Sequence, residues 1–564
     1  MNRDKFFKKK QNVWQPLGAL ILISLSVWKI SKGLEQNMDI RFYDESFYLT
    51  QGLFQNISEW IPDYSPLYCL HYKILGVLFP DGIELYYANY RFWDLVLGIS
   101  IYALLRQAGT AYVPAILWGM SACASQLGLP LWPKAGHLAM AATSIGIAGI
   151  WFWRGQLKTQ LIWIMGICLC ISWCRPEFLA GALTAGLLLI YFIWKGEGTI
   201  SKPAFTPLLL ALIFALIWGL PFGESGRGLV AFGQHFVHNW RNISGKNSGD
   251  LMWDWVNWRP IFEQHFSSAK NPLEAFFKNP ADMLQHLWFN LRYLFYNSLV
   301  YFSETLFPKR LYGISPLIGF GLLWLGAEIL QGFELGEKFL KKLKDQNTSS
   351  FLPWFCLAIP SLLAGLLFQP RPHYILPLLP FFVFGPGLFL RNITLSKSLK
   401  SWRPALIQLP FILLFFLPEC QAFFQVISDS STSNEATHPE KEELFGPVTA
   451  KSLAHKTLIQ ELKKYPFPKD FRIFDASTGA TEYLGKKVIQ CGKTGFEMNY
   501  QALANFPHFL DSAKVQGIFL HETIRYDRFF SSNVHWQKLK SQPQNMGWLK
   551  IPIGKAGDSL LVRN

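Results

Sequence analysis

Apolar runs of about 15–21 residues, broken by short polar clusters, fill the chain from residue 14 to about 423. A helix needs about 20 apolar residues to cross a bilayer core, fewer when protein flanks it. About eleven segments meet that requirement: 14–31, 92–106, 110–129, 138–153, 159–174, 177–194, 207–222, 311–331, 351–368, 374–390 and 404–423. The region 280–310 is long enough to hold another. The first run follows Met-Asn-Arg-Asp-Lys-Phe-Phe-Lys-Lys-Lys and lacks a small-residue cleavage site, so it reads as an uncleaved anchor. Beyond residue 424 the pattern changes. A polar stretch at 428–435 leads into short strand-like runs at Phe471–Ala476, Lys487–Gln490, Val515–His521, Trp548–Ile553 and Ser559–Val562, with helix-like stretches at Ala450–Lys464 and Asn499–Ser512 between them. The expected architecture is an α-helical polytopic membrane domain over 1–423 and a soluble α/β domain over 424–564.

Charge orients this arrangement. With the basic N-terminus inside and the runs alternating, the inner segments contain Arg3, Lys5, Lys8, Lys9, Lys10, Arg106, Arg154, Lys158, Lys195, Lys202, Lys338, Lys341, Lys342, Lys344, Arg391, Lys397, Lys400 and Arg403. The short outer loops contain only Lys134, Arg175 and Arg371. Translocating Lys and Arg in short loops is disfavoured, so this asymmetry places a first loop at 32–91, a second at 223–310 and the C-terminal domain on the extracytoplasmic side.

Composition narrows the class. The 564 residues would suggest several soluble domains by length, yet half are hydrophobic, 16% are aromatic and 16% are charged, against about 25% charged in ordinary globular domains. Neither disorder nor a simple soluble enzyme is expected on that basis. The net charge of +15 divides unevenly, because the tail from 424 holds 18 basic and 14 acidic residues (+4) and leaves +11 to the membrane-rich part. Basic residues between apolar runs suit anionic lipid, and no nucleic-acid partner is expected. The eight cysteines lie mostly inside apolar runs, where free thiols pack as small hydrophobes, and Cys168, Cys170 and Cys174 are read that way rather than as metal ligands.

Chemistry is therefore sought on the outer side. An acidic pair, Asp44-Glu45, stands just past the first run, and adjacent carboxylates beside an apolar interface are costly unless solvated, paired or functional. An aromatic segment, Tyr64-Ser65-Pro66-Leu67-Tyr68, follows, and Tyr90-Arg91-Phe92 opens the second run. Arg175 and Glu177 interrupt an apolar stretch at its outer end, as a simple ion pair or as a phosphate contact. The second outer loop has His235 and His238 three residues apart, without a third ligand at a clear spacing, so no metal is predicted, although a divalent ion is not excluded. Its tryptophans, Trp253, Trp255 and Trp258, fit an interfacial belt or a sugar-stacking surface.

These residues resemble the membrane glycosyltransferases of the C-type fold (GT-C), in the family 39-like branch of protein O-mannosyltransferases and bacterial lipid A aminoarabinose transferases. The resemblance rests on Asp44, Glu45, Pro66, Leu67, Tyr68 and Arg91 in the first outer loop, and on Pro370-Arg371-Pro372-His373-Tyr374-Ile375-Leu376-Pro377-Leu378-Leu379-Pro380 late in the apolar part. It covers about residues 1–423. Ser65 departs from the family's Pro-Pro pair, and Pro133-Lys134-Ala135-Gly136-His137 stands where relatives often carry an acidic residue.

The resemblance implies transfer of one sugar from a polyprenyl-phosphate donor to a lipid, glycan or protein acceptor outside the cytoplasm, by inverting displacement and without a cofactor. Asp44 is the expected general base, with Glu45 orienting the acceptor or Asp44, or merely solvated. Arg371, His373, Tyr374 and Arg175 are expected at the donor phosphate, and Tyr68, Arg91, Lys134 and His137 near substrate. A bacterial inner membrane is the expected location. Rival readings are an O-antigen ligase or polymerase and a lipid or solute transporter, the latter predicting internal repeats and mid-membrane charges that the sequence does not display.

Overall fold

The computed structural model describes residues 14–42, 44–62, 64–196, 199–221, 227–245, 258–308, 351–390, 403–417, 419, 454–477, 479–493, 505–521, 533–553 and 558–563. The chain is mostly helical with one small C-terminal sheet. Helix α1 (Trp14–Ile30) is followed, within residues 32–91, by the short helices α2 (Asp44–Phe54) and α3 (Pro66–Leu75), among others. The main bundle then runs through α4 (Gly82–Ala108), α5 (Tyr112–Cys123), α6 (Ala135–Phe152), α7 (Leu157–Ser172), α8 (Phe178–Trp194) and α9 (Thr206–Trp218). Capping sets the ends of α4: the Asp81 carboxylate accepts from the Ile83 and Glu84 amides, and Gly109, at φ 99°, closes the last turn in the left-handed conformation.

Among the described residues, two helices are long and apolar enough to cross a membrane by length and composition, Trp14–Asn37 and Ala135–Phe152; six further apolar helices have 10–17 residues. Several expected spans are thus shorter as helices than as apolar runs. The run 110–129 stops being helical at Cys123, ahead of a turn-rich segment with Pro130 and Pro133. In the run 374–390, Pro377 lies in a 3₁₀ turn, Leu376–Leu378, before Leu379–Leu390 resumes the α-helix, because proline cannot supply the amide an inner helical turn requires. The expected span 311–331 and most of the linker before the C-terminal domain lie outside the described residues. Helices α8 and α9 direct Leu183, Leu187, Ile190, Leu209, Leu212 and Leu216 outward, with Leu216 79% exposed.

The described part of residues 223–310 is largely helical: α10 (Arg227–Ile243), α11 (Trp258–Phe266), α12 (Pro272–Lys278) and α13 (Pro280–Leu306). Its own apolar core gathers Phe232, Phe236, Trp258, Phe262 and Phe266. Helix α13 is the additional helix that 280–310 was long enough to hold, and its Asn290 donates to the carbonyls of Leu366 and Phe368 at the end of α14 (Leu352–Leu367). After α14 come α15 (Pro372–Ile375), α16 (Leu379–Leu390) and α17 (Arg403–Phe416).

The C-terminal part contains α18 (Ala454–Lys464), β1 (Phe471–Asp475), β2 (Val488–Lys493), α19 (Phe506–Ser512), β3 (Gly517–Leu520), α20 (Val534–Ser541), β4 (Trp548–Pro552) and β5 (Ser559–Arg563). All five strands fall within or beside the runs that the sequence marks as strand-like. The sheet order is β2-β1-β3-β5-β4, with β1 parallel to both neighbours and β5 antiparallel to β3 and β4. Side chains alternate between its faces. Phe474, Ile518 and Leu561 pack under α19 and α20, while Ile473, Phe519 and Leu560 join the same core as Phe42, Leu49 and Tyr86 of the preceding domain. The α/β unit is therefore seated directly on residues of the segment 32–91.

Candidate functional site

The acidic pair opens α2, and the helical step of 100° per residue separates its two members. Glu45 turns inward and is fully buried. Its Oε1 accepts from the hydroxyls of Tyr68 (2.6 Å) and Tyr72 (2.5 Å) and from Asn89 Nδ2 (3.0 Å), and its Oε2 accepts from the Lys134 amide (3.2 Å). Burial pushes the Glu45 carboxyl above its ordinary range, against the pull of those donors and of the Lys134 charge. The solvated reading of Glu45 is thereby corrected: it is the acceptor at the centre of a closed polar network that ties α2 to α3 and α4.

Asp44 faces the other way, its side chain 43% exposed, with Arg227 Nη2 3.4 Å from its Oδ1. Arg227 also donates to Tyr48 Oη (2.8 Å) and lies over the Tyr64 ring at 4.4 Å. Burial raises the Tyr48 phenol and keeps it neutral. Sequence reasoning missed Arg227. It opens an amphipathic helix in Gly-Glu-Ser-Gly-Arg-Gly, and the available clue was an arginine in a small-residue segment.

The loop 173–177 joins this surface through backbone contacts. Ser65 Oγ donates to the Cys174 carbonyl (2.7 Å) and the Leu67 amide to that of Trp173 (3.2 Å). Arg175 pairs with Glu177 (2.6 Å) and stacks over Tyr374 at 4.5 Å. Tyr374 is also within electrostatic reach of Arg371 and Asp44. Arg371 Nε donates to Gln369 Oε1 (2.9 Å), which lies 3.2 Å from His235 Nδ1, and His235 meets Tyr374 edge-on at 5.8 Å. Burial, reinforced by the charges of Arg371 and neighbouring histidines, holds His235 well below the usual histidine range. Four separate stretches of sequence thus converge, bringing together Asp44, Arg175, Arg371 and Tyr374, with Arg227 and His235 added. His373, beside Tyr374, is mostly buried, and its backbone carbonyl rests against Gly136, where a Cβ would come within 2.7 Å.

The remaining candidates are placed elsewhere. Lys134, expected near substrate, is enclosed: its Nζ donates to the Gly128 carbonyl and sits 4.6 Å from the Tyr90 ring centre. Burial pushes its ammonium down to about 7, opposed by Asp94 and Glu45. Asp94, a fully buried carboxylate on α4 that sequence reasoning also missed, has no hydrogen-bond partner among the described residues. His137 is likewise enclosed, with Nε2 2.8 Å from the Leu127 carbonyl. Arg91 pairs with Glu35 at 3.1 Å, and Tyr68 is committed to Glu45. His238 lies against Asn242 (3.0 Å) rather than forming a ligand pair with His235. Among the described residues no group of three or more His, Cys, Asp or Glu side chains is placed to hold a metal ion.

Ser65 adopts φ 54°, whereas the proline ring fixes φ near −65°. Ser65→Pro is expected to displace α3 and the 173–174 contact, costing about 3 kcal/mol or more by analogy with proline in other incompatible positions. Thermal unfolding of the purified protein measures this; an unchanged midpoint contradicts it.

Compared with known protein families and with curated proteins, the chain matches none.

Proposed function

We propose that this chain is an integral membrane glycosyltransferase of GT-C type. In this reading it moves a sugar from a polyprenyl-phosphate donor to an extracytoplasmic acceptor, in a bacterial inner membrane. The observation that carries the proposal is the convergence of a partly exposed carboxylate, Asp44, with Arg175, Arg227 and Arg371 on what the charge pattern makes the outer side. The outward leucines and isoleucines of α8 and α9 support the membrane setting, since soluble monomers rarely expose apolar patches of that extent.

Chemically, the acceptor oxygen or nitrogen attacks the anomeric carbon, forming the glycosidic bond as the bond from that carbon to the phosphate oxygen breaks with inversion. The acceptor proton passes to Asp44. Polyprenyl phosphate departs with the electron pair, and guanidinium groups stabilise the charge that develops on it. Arg175 and Arg371 are assigned that task, with Tyr374 between them as a hydrogen-bond donor. Arg227 holds Asp44 and Tyr48.

The test is transfer from radiolabelled polyprenyl-phosphate sugars in membranes containing wild type or Arg371→Ala at matched levels. Arg371→Ala is expected to lose at least tenfold, and Arg371→Lys to recover only part, because an ammonium lacks the bidentate fork. Full activity in Arg371→Ala removes Arg371 from the site. Translocation of a lipid or solute without transfer from any donor replaces the proposal with a transporter.

A further inference from the structure

In parallel α/β sheets, ligands sit at the carboxyl ends of adjacent strands whose outgoing connections diverge. Here those strands are β1 and β3: the chain leaves β1 toward β2 on one side and leaves β3 toward β4 and β5 on the other. The crevice between their ends is bordered by Asp475 to Thr481 and by His521. It is filled by the chain itself. Phe42 stacks on His455 with ring centres 4.2 Å apart and lies 6.4 Å from both the Tyr483 and His521 rings. Gly479, at φ 143°, approaches Ser46 so closely that a Cβ would fall 2.3 Å from its Oγ.

The crevice is built to hold this shape. Asp475, fully buried, accepts from the Ser477 amide and hydroxyl and from the Thr481 amide and hydroxyl at 2.5–2.9 Å, fixing the loop that carries Gly479. On the opposite flank the Asp39 carboxylate accepts from the first amides of α18, His455 and Lys456, both at 2.9 Å. His455 Nδ1 lies 2.8 Å from the Ile40 carbonyl, and Thr50 Oγ1 donates to the Glu482 carbonyl at 3.3 Å. Contacts therefore bracket Asp44 on both sides, at residues 39–42 and 46–50, while Asp44 itself stays open.

We propose that the C-terminal domain is a clamp whose strand-end crevice grips residues 39–42 and 46–50 and positions Asp44 for transfer, with His455 and Gly479 as its positioning residues. This rests on the function proposed above. Glu45 pins the inner face of α2 to α3 and α4, and the clamp adds a hold on the segment that enters the helix and on its outer face, next to Asp44; a displacement of about 1 Å at a reacting group can cost on the order of 10²-fold in rate.

The full-length protein in nanodiscs tests this with His455→Ala, His455→Phe, Gly479→Val and Asp44→Asn, by transfer kinetics and by hydrogen exchange of peptides covering 39–54. His455→Ala and Gly479→Val are expected to lower kcat at least tenfold and to speed exchange in 39–54, leaving α9 unchanged. His455→Phe, which keeps the stacked ring, is expected to return to within threefold of wild type. If Asp44→Asn abolishes transfer while His455→Ala and Gly479→Val keep wild-type kcat and exchange, the clamp is overturned and the catalytic reading stands. If His455→Phe is as impaired as His455→Ala, the stacking assignment is overturned. If wild type transfers from no donor, or Asp44→Asn transfers normally, the catalytic reading and the clamp built on it fall together.

Discussion

Asp44→Asn is expected to lower sugar transfer about 10²–10⁴-fold at matched protein level, the range that a positioned general base contributes. Asparagine keeps the shape of the side chain and an oxygen for Arg227, 3.4 Å away, so the network around Tyr48 and Tyr64 survives. What it lacks is a basic oxygen to take the acceptor proton. Donor binding should persist, because Arg175 and Arg371 approach from loops that do not include α2. The loss is accordingly expected in kcat with KM for the donor changed only slightly. Asp44→Glu restores a base but moves it by one methylene, and should recover a minor part of the rate. Single-turnover transfer in nanodiscs, with donor retention measured in parallel, reads these separately. Normal turnover in Asp44→Asn would remove the carboxylate from the chemistry and leave it as a partner of Arg227.

How legible this site was from the chain alone depended on whether a residue's role follows from local pattern. The strands β1 to β5 were readable because alternation and bounding polar turns are local, and the sheet buries the alternating sets as that pattern requires. Arg371 and Arg175 were readable because a charge at the edge of a long apolar run is conspicuous wherever the chain folds. The division of labour within Asp44-Glu45 was not, since it depends on which face of α2 meets Tyr68, Tyr72 and Asn89, contributed by two other helices. Arg227 was hidden for the same reason: nothing near it in sequence announces Asp44, 183 positions away. Lys134 misled in the opposite direction. A lysine in a short loop reads as a substrate contact, but here its ammonium is enclosed, donating to the Gly128 carbonyl with Asp94 and Glu45 within electrostatic reach. The docking of the C-terminal domain was likewise invisible, because Gly479 and Ser46 are meaningful only together.

Glu45→Ala is expected to destabilise the protein by about 3–5 kcal/mol, the scale seen when one member of a buried charged network is removed. Four donors converge on this carboxylate: two tyrosine hydroxyls, the Asn89 amide and the Lys134 backbone amide. Truncation leaves them facing a dry cavity, and it also takes from the Lys134 ammonium one of the two carboxylates that sustain its charge. Each unsatisfied buried donor carries a desolvation penalty of about 1–3 kcal/mol, so relaxation or entry of water must recover part of the sum. Glu45→Gln retains an acceptor oxygen and should cost less, with its amide nitrogen facing the Lys134 amide as the main loss. Thermal unfolding should therefore rank wild type above Glu45→Gln and Glu45→Ala lowest, while transfer per folded molecule in Glu45→Gln stays far above that of Asp44→Asn. The opposite pattern, a stable Glu45→Gln protein that cannot transfer, would move the proton-accepting role from the exposed carboxylate to the buried one. It would also require that α2 rotate to present Glu45, breaking all four of its hydrogen bonds on substrate binding, and that energetic cost is the reason Asp44 is assigned the chemistry and Glu45 the scaffold.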